Sequence, residues 1–113
     1  MLRQGGDAAM NLLKEKGISA EVLDLRSIRP LDEEALLATV RKTNRAIIVQ
    51  EAWPIASVGS WLANVIQEKA FDYLDAPIKV LSGLDCPYPY SKALEHMMAP
   101  NPQRVAEAAE KLL

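Results

Sequence analysis

Helix-period and strand-like stretches take turns along this chain, and that alternation constrains the fold more than any single residue does. The segment 58–66 carries the strongest pattern. Val58, Trp61, Leu62, Val65 and Ile66 stand at i, i+3, i+4, i+7 and i+8, the spacing of a helix buried along one face. Before it lies the aliphatic run Ala46-Ile47-Ile48-Val49, and after it a second short apolar segment over 78–82. Residues 2–16 predict a helix, with Ala9, Leu12, Leu13 and Lys16 at helical spacing and Gly17 as its terminator. Residues 19–25 predict a strand through Val22, Leu23 and Leu25. Residues 32–43 predict a helix capped by Asp32, with Glu33 and Glu34 at the positive end of its dipole. Asn101-Pro102 opens a last helix, whose expected buried stripe is Val105, Ala108, Ala109 and Leu112.

The predicted order is helix, strand, helix, strand, helix, strand, helix. Strands that alternate with amphipathic helices imply a parallel sheet covered on both faces. The 113 residues make one domain, expected to run over 1–113. Three short strands are few for four helices, and no strand precedes the first helix. The expectation is therefore a truncated α/β domain, with its leading strand or strands absent.

Composition closes off several function classes. Half of the residues are hydrophobic and a quarter are charged, as in an ordinary globular domain. A net charge of −2 gives no electrostatic reason to bind nucleic acid or an anionic membrane. Aliphatic runs such as 46–49 are too short to span a bilayer, and the N-terminal residues do not read as a signal peptide. Cys86 is the only cysteine, so no internal disulfide forms.

Catalytic signatures are missing. No glycine-rich nucleotide loop follows a strand, and neither zinc spacing nor a nucleophile elbow is present. The single histidine, His96, reads as a surface or interface side chain, and Cys86 as a small semi-buried one. Ligands of open parallel sheets bind beyond the carboxyl ends of the strands. Three loops are expected there: 26–31 with Arg26 and Arg29, 51–57 with Trp53, and 83–91 with Tyr88 and Tyr90. Paired arginines can clamp an anion. Exposed tryptophan, tyrosine and proline suit a protein interface. Docking onto another domain is the preferred reading of all three loops.

Taken in order, LDLRSIRPLDEEAL, RAIIVQEAWPIASVGSWLANVIQEKAFDYLDAPI, GLDCPYPYSKALE and PNPQRVAEA resemble the C-terminal domain of pyruvate dehydrogenase beta subunits, within the transketolase C-terminal-domain family. The resemblance runs from about residue 5 to the C-terminus. Cys86 departs from the family's usual valine, and Tyr88 from its usual methionine. The resemblance implies a three-layer α/β/α domain on a mainly parallel sheet. It implies a place in a thiamine-diphosphate-dependent complex that decarboxylates pyruvate oxidatively and transfers the acetyl group to lipoyl groups.

In such enzymes thiamine diphosphate and magnesium lie between an alpha subunit and the N-terminal domain of the beta subunit. The resemblance therefore implies no catalytic, cofactor or metal residue in this chain, and no activity of the chain alone. The partners it implies are the alpha subunit, a second beta subunit and the binding domain of the dihydrolipoyl acyltransferase. Asp75 and the carboxylate of Leu113 fall at the positions that receive basic side chains of that binding domain. Arg26, Arg29, Trp53, Tyr88 and Tyr90 are expected at subunit contacts. Bacterial cytoplasm and mitochondrial matrix are both compatible locations. A branched-chain 2-oxoacid or acetoin dehydrogenase beta subunit, or a free-standing α/β binding module, are the alternatives.

Overall fold

The computed structural model describes residues 2–83, 91 and 101–113. Helix α1 spans Leu2–Glu15, α2 Glu33–Thr43, strand β1 Ile47–Val49, α3 Val58–Ala70, β2 Lys79–Leu81 and α4 Pro102–Leu112. A 3₁₀ turn, Phe71–Tyr73, follows α3 directly.

The helix ends lie where the sequence signals put them. Gly17 has φ 75°, and the amide of Ile18 donates to the Leu13 carbonyl at 2.8 Å while that of Gly17 donates to Lys14 at 3.1 Å. This pair of backward bonds satisfies the last carbonyls of α1 and needs a left-handed residue at Gly17. Asp32 accepts from the amide of Ala35, Ser57 from that of Ser60, and Asn101 from that of Arg104. Each cap supplies an acceptor to an amide that has no partner inside its own helix.

The two strands pair in parallel, Ile47 opposite Lys79, Ile48 opposite Val80 and Val49 opposite Leu81. Successive side chains of a strand point to opposite faces, and β1 uses this to divide the core. Ile48 packs with Leu37, Val40, Ile66 and Ala70 of α2 and α3. Ile47 packs with Leu13, Ala106 and Ala109 of α1 and α4. The result is three layers: α2 and α3, the sheet, then α1 and α4.

Three sequence expectations change. Residues 19–25 do not form a strand. Among the described residues no neighbouring backbone offers this segment a ladder of hydrogen bonds, and a strand exists only through such a partner. Ala20 reaches the core, but Val22 and Leu23 are exposed. On α3, Leu62, Val65 and Ile66 are buried, whereas Val58 and Trp61 are exposed at 38% and 45%. The buried face of α3 runs through Gly59, Leu62, Val65, Ile66 and Ala70, and Val58 and Trp61 lie off it. On α4 the buried residues are Ala106, Ala108 and Ala109, with Val105 and Leu112 half-buried. That helix turns its small residues inward, where α1 lies close alongside.

Candidate functional site

The carboxyl ends of β1 and β2 are tied together beyond the ladder. The amide of Gln50 donates to the Leu81 carbonyl at 2.9 Å, and that of Gly83 donates to Ala52 at 3.0 Å. Loop 51–57 thus lies beside the segment leaving β2, as the parallel reading required.

Gln50 fastens this end. Its Nε2 donates to Ser57 Oγ at 2.7 Å, and its Oε1 accepts from the Gly59 amide at 2.7 Å. One side chain therefore joins the tip of β1 to the first turn of α3. Ser57 Oγ and Ser60 Oγ both reach the Pro54 carbonyl, at 3.3 and 3.2 Å, and close the loop from the other side. The loop is held, yet it presents Trp53 and Ile55 at 50% and 73% exposure. With Ala52, Ala56 and Ser57 they line a shallow groove of about 400 Å³. No local pattern marks Gln50: it ends an apolar run and meets its partner nine residues later.

The segment 24–32 is a structural junction. Ser27 Oγ donates to the Pro30 carbonyl at 3.0 Å, Ile28 and Leu31 form an isolated antiparallel bridge, and Asp32 caps α2. Its two arginines form no clamp. Arg26, at φ 54°, turns back on Asp24 with Nε 3.7 Å from Oδ2. Arg29 instead lines a second shallow groove with Ile28, Leu31, Glu33 and Trp61. The two grooves flank the first turn of α3, Ser57 in one and Trp61 in the other. Glu33 also forms an ion pair with Lys69, which fastens α2 to α3. Tyr88 and Tyr90, and with them Cys86 and His96, lie outside the described residues.

The opposite end of the sheet holds the other two expected contact residues. The amide of Asp75 donates to the Asn44 carbonyl at 2.8 Å, which places Asp75 where β1 and β2 begin. Helix α4 starts at the far end, where Arg104 Nη1 donates to the Ser82 carbonyl at 3.4 Å. It runs back past Ile47, the first residue of β1. Leu113, 69% exposed, thereby arrives at the amino end as well. The structure brings Asp75 and Leu113 to one end of the sheet and sends Arg29 and Trp53 to the other.

One electrostatic contact anchors the segment that fails to become a strand. Lys42 Nζ donates to Glu21 Oε2 at 2.7 Å, and Thr39 Oγ1 donates to Oε1 at 3.1 Å. The hydrogen bond from Lys42, then that from Thr39, holds the Glu21 carboxyl below the usual glutamate value. The bond to Glu21 raises Lys42 in turn. The lowered carboxyl favours the folded state above the ordinary glutamate pKa, and the effect fades as pH falls through the folded value. The raised ammonium favours it below the ordinary lysine pKa, and that effect fades as pH rises through its folded value. Both side chains lie at the surface, so the effect on stability is small. In a carboxyl NMR titration Glu21 is expected to have a lowered midpoint that moves up in Lys42→Met. A midpoint that ignores this substitution would remove the pair.

The family model for the transketolase C-terminal domain matches residues 7–105. The chain belongs to this family. Among curated relatives, the pyruvate dehydrogenase E1 component subunit beta of Rickettsia conorii is 45% identical over 104 residues, covering 92% of this chain and 32% of the relative. The mitochondrial subunit of the same description from Saccharomyces cerevisiae is 47% identical over 108 residues, covering 95% and 30%. A solved structure described as a split-gene transketolase, an inactive beta4 tetramer, superposes with a TM-score of 0.76 at 28% identity, covering 96% of this chain and 36% of that one. The chain spans about a third of the length of the curated relatives it matches. This transketolase C-terminal domain has the α/β fold expected of it, with its helices on both faces of a small parallel sheet.

Thiamine diphosphate with its metal would need a group of oxygen or nitrogen ligands and donors for the diphosphate. Among the described residues, no cluster of three or more His, Cys, Asp or Glu side chains could hold a metal ion. The groove beside Trp53 carries no charged side chain. Among the described residues no such set is assembled. No helix among them is long and apolar enough to cross a membrane.

Proposed function

We propose that this chain is the C-terminal assembly and docking domain, over residues 1–113, of the beta subunit of a thiamine-diphosphate-dependent pyruvate dehydrogenase. The observation that carries the reading is the surface beyond the strand ends. Trp53, Ile55, Ile28 and Trp61 are all exposed there, near backbone that the bonds of Gln50, Ser57, Ser60 and Ser27 hold in place. Large exposed side chains beside a held backbone suit a protein interface, because less backbone entropy is lost when a partner covers them. The names of the relatives supply the enzyme.

In this reading Arg26, Arg29, Trp53, Tyr88 and Tyr90 face neighbouring subunits, an alpha subunit and a second beta subunit. Asp75 and the Leu113 carboxylate receive basic side chains from the binding domain of the dihydrolipoyl acyltransferase by charge-assisted hydrogen bonds. Thiamine diphosphate and magnesium belong to the rest of the enzyme. Pyruvate decarboxylation and acetyl transfer happen there, and this chain alone is inactive. The setting is a bacterial cytoplasm or a mitochondrial matrix, in keeping with Rickettsia and mitochondrial relatives.

Co-expression of the chain with the alpha subunit and the N-terminal domain of the beta subunit tests this. The chain is expected to elute with both in size-exclusion chromatography. Arg29→Ala is expected to lower the assembled fraction several-fold and to leave turnover per assembled complex unchanged. Normal assembly with lost turnover would place Arg29 in the chemistry and defeat the reading. Pyruvate assayed against branched-chain 2-oxoacids and acetoin fixes the substrate.

A further inference from the structure

Loop 51–57 holds an alanine in backbone that favours glycine. Ala56 has φ 52°, in the left-handed region, where the Cβ of an L-residue crowds the following carbonyl oxygen. Two other residues with positive φ have local reasons for it. Asn44, at φ 62°, caps α2 and donates its amide to the Val40 carbonyl at 2.8 Å, and asparagine takes this backbone readily. Arg26, at φ 54°, turns its amide to Asp24 Oδ1 at 3.3 Å. Among the described residues Ala56 makes no hydrogen bond of its own. A strained residue persists only where its surroundings fix it, and here the fixed points are its neighbours. Pro54 is held on one side, its carbonyl accepting from Ser57 Oγ and Ser60 Oγ. Ser57 and Gly59 are held on the other, both by Gln50 at 2.7 Å. Gln50 reaches them from anchored backbone, since its own amide donates to the Leu81 carbonyl at 2.9 Å.

We propose that Gln50 is a latch that holds Ala56 in its strained backbone, and that the groove lined by Ala52, Trp53, Ile55, Ala56 and Ser57 belongs to the latched state of a two-state loop. Alanine prefers negative φ to this conformation by about tenfold. The latch outweighs that preference because it bonds at both of its ends. Its Oε1 takes the Gly59 amide, one of the first-turn donors that α3 leaves without an internal partner. Its Nε2 takes the oxygen of Ser57, the residue next to Ala56. With the latch released, Ala56 relaxes to negative φ, residues 52–55 swing relative to Ser57, and the groove loses its shape. The balance of strain and latch sets which state is populated. The inference concerns the loop alone and does not depend on the docking role proposed above.

The test is NMR of the full, isotope-labelled chain. A positive φ brings a residue's amide and α protons together, so Ala56 is expected to show a strong NOE between them. The second reporter is the Gly83 amide, which bonds the Ala52 carbonyl at 3.0 Å and is not a partner of Gln50. In Gln50→Ala the Ala56 NOE is expected to fall to ordinary strength, and Gly83 to exchange its amide proton about tenfold faster. The double variant Gln50→Ala with Ala56→Gly is expected to recover most of the Gly83 protection, because glycine takes this backbone without a Cβ clash and needs no latch. Ala56→Gly alone is expected to raise the urea midpoint of the chain, the reverse of what glycine does at an unstrained loop site. That last measurement does not require the Gln50 variants to fold. If Gln50→Ala keeps both the NOE and the Gly83 rate, Gln50 is no latch. If the double variant exchanges as fast as Gln50→Ala, or Ala56→Gly leaves the midpoint unchanged or lowers it, there is no strain for a latch to hold. Either result overturns the proposal.

Discussion

Ile66→Ala is expected to destabilise the chain by about 2–5 kcal/mol. Ile66 is 1% exposed, the largest fully buried side chain among the described residues. It stands in the cluster that joins Leu37 and Val40 of α2 to Ile48 of β1. Truncation removes its transfer free energy and leaves a cavity between three elements that cannot all move inward at once. A domain of this size has about 5–15 kcal/mol in total, so the loss is a large share of its stability. Ile66→Val, which removes one methyl group, is expected to cost about 0.5–1.5 kcal/mol. Trp61→Ala on the exposed side of the same helix is expected to cost less than about 1 kcal/mol, as surface substitutions do. Urea denaturation followed at the helical circular dichroism band reads all three. Equal shifts for Ile66→Ala and Trp61→Ala would mean that α3 is not packed as described.

Gly59→Ala is the second large effect. An added Cβ would fall 2.6 Å from Gln50 Oε1 and 2.8 Å from its Cδ. Gln50 could swing away, but it would then lose its bonds to the Gly59 amide and to Ser57 Oγ. Two lost hydrogen bonds amount to about 1–3 kcal/mol at ordinary net values. Alanine is otherwise the better helix residue by up to about 1 kcal/mol, so without the clash the same substitution would stabilise. The double variant Gln50→Ala with Gly59→Ala separates the two effects. It is expected to be more stable than the sum of the single losses predicts, because the group that the new methyl strikes has gone. Strict additivity in urea titrations would show that Gln50 does not occupy that space.

Elements whose cause is local can be read directly along the chain. Asp32 and Asn101 cap helices because their own side chains reach amides three residues on. Gly17 ends α1 because it can take a positive φ. The run 46–49 and the 3.6-residue period of 58–66 needed no partner to be recognised, and their alternation was enough to imply a parallel sheet. The motif stretches likewise carried the family, and their order along the chain agrees with the match over 7–105.

Features that depend on a second piece of chain are fixed only by packing. Val22, Leu23 and Leu25 have the composition of a strand, but composition supplies no hydrogen-bond partner, and 19–25 stays outside the sheet. Trp61 keeps the period of the core and still lies in water, because packing chose the face of α3 through Gly59, Leu62 and Ile66 as the buried one. Gln50 and Gly59 meet only once β1 and α3 pack, so their contact could not be read along the chain. Asp75 and Leu113 reach the same end of the sheet because α4 runs back against the strand direction, and Arg29 and Trp53 are left at the other. Caps and periods are interactions within a few residues and can be read in order along the chain. Ladder partners, buried helix faces and shared ends depend on distant segments, and only the packed layers fix them.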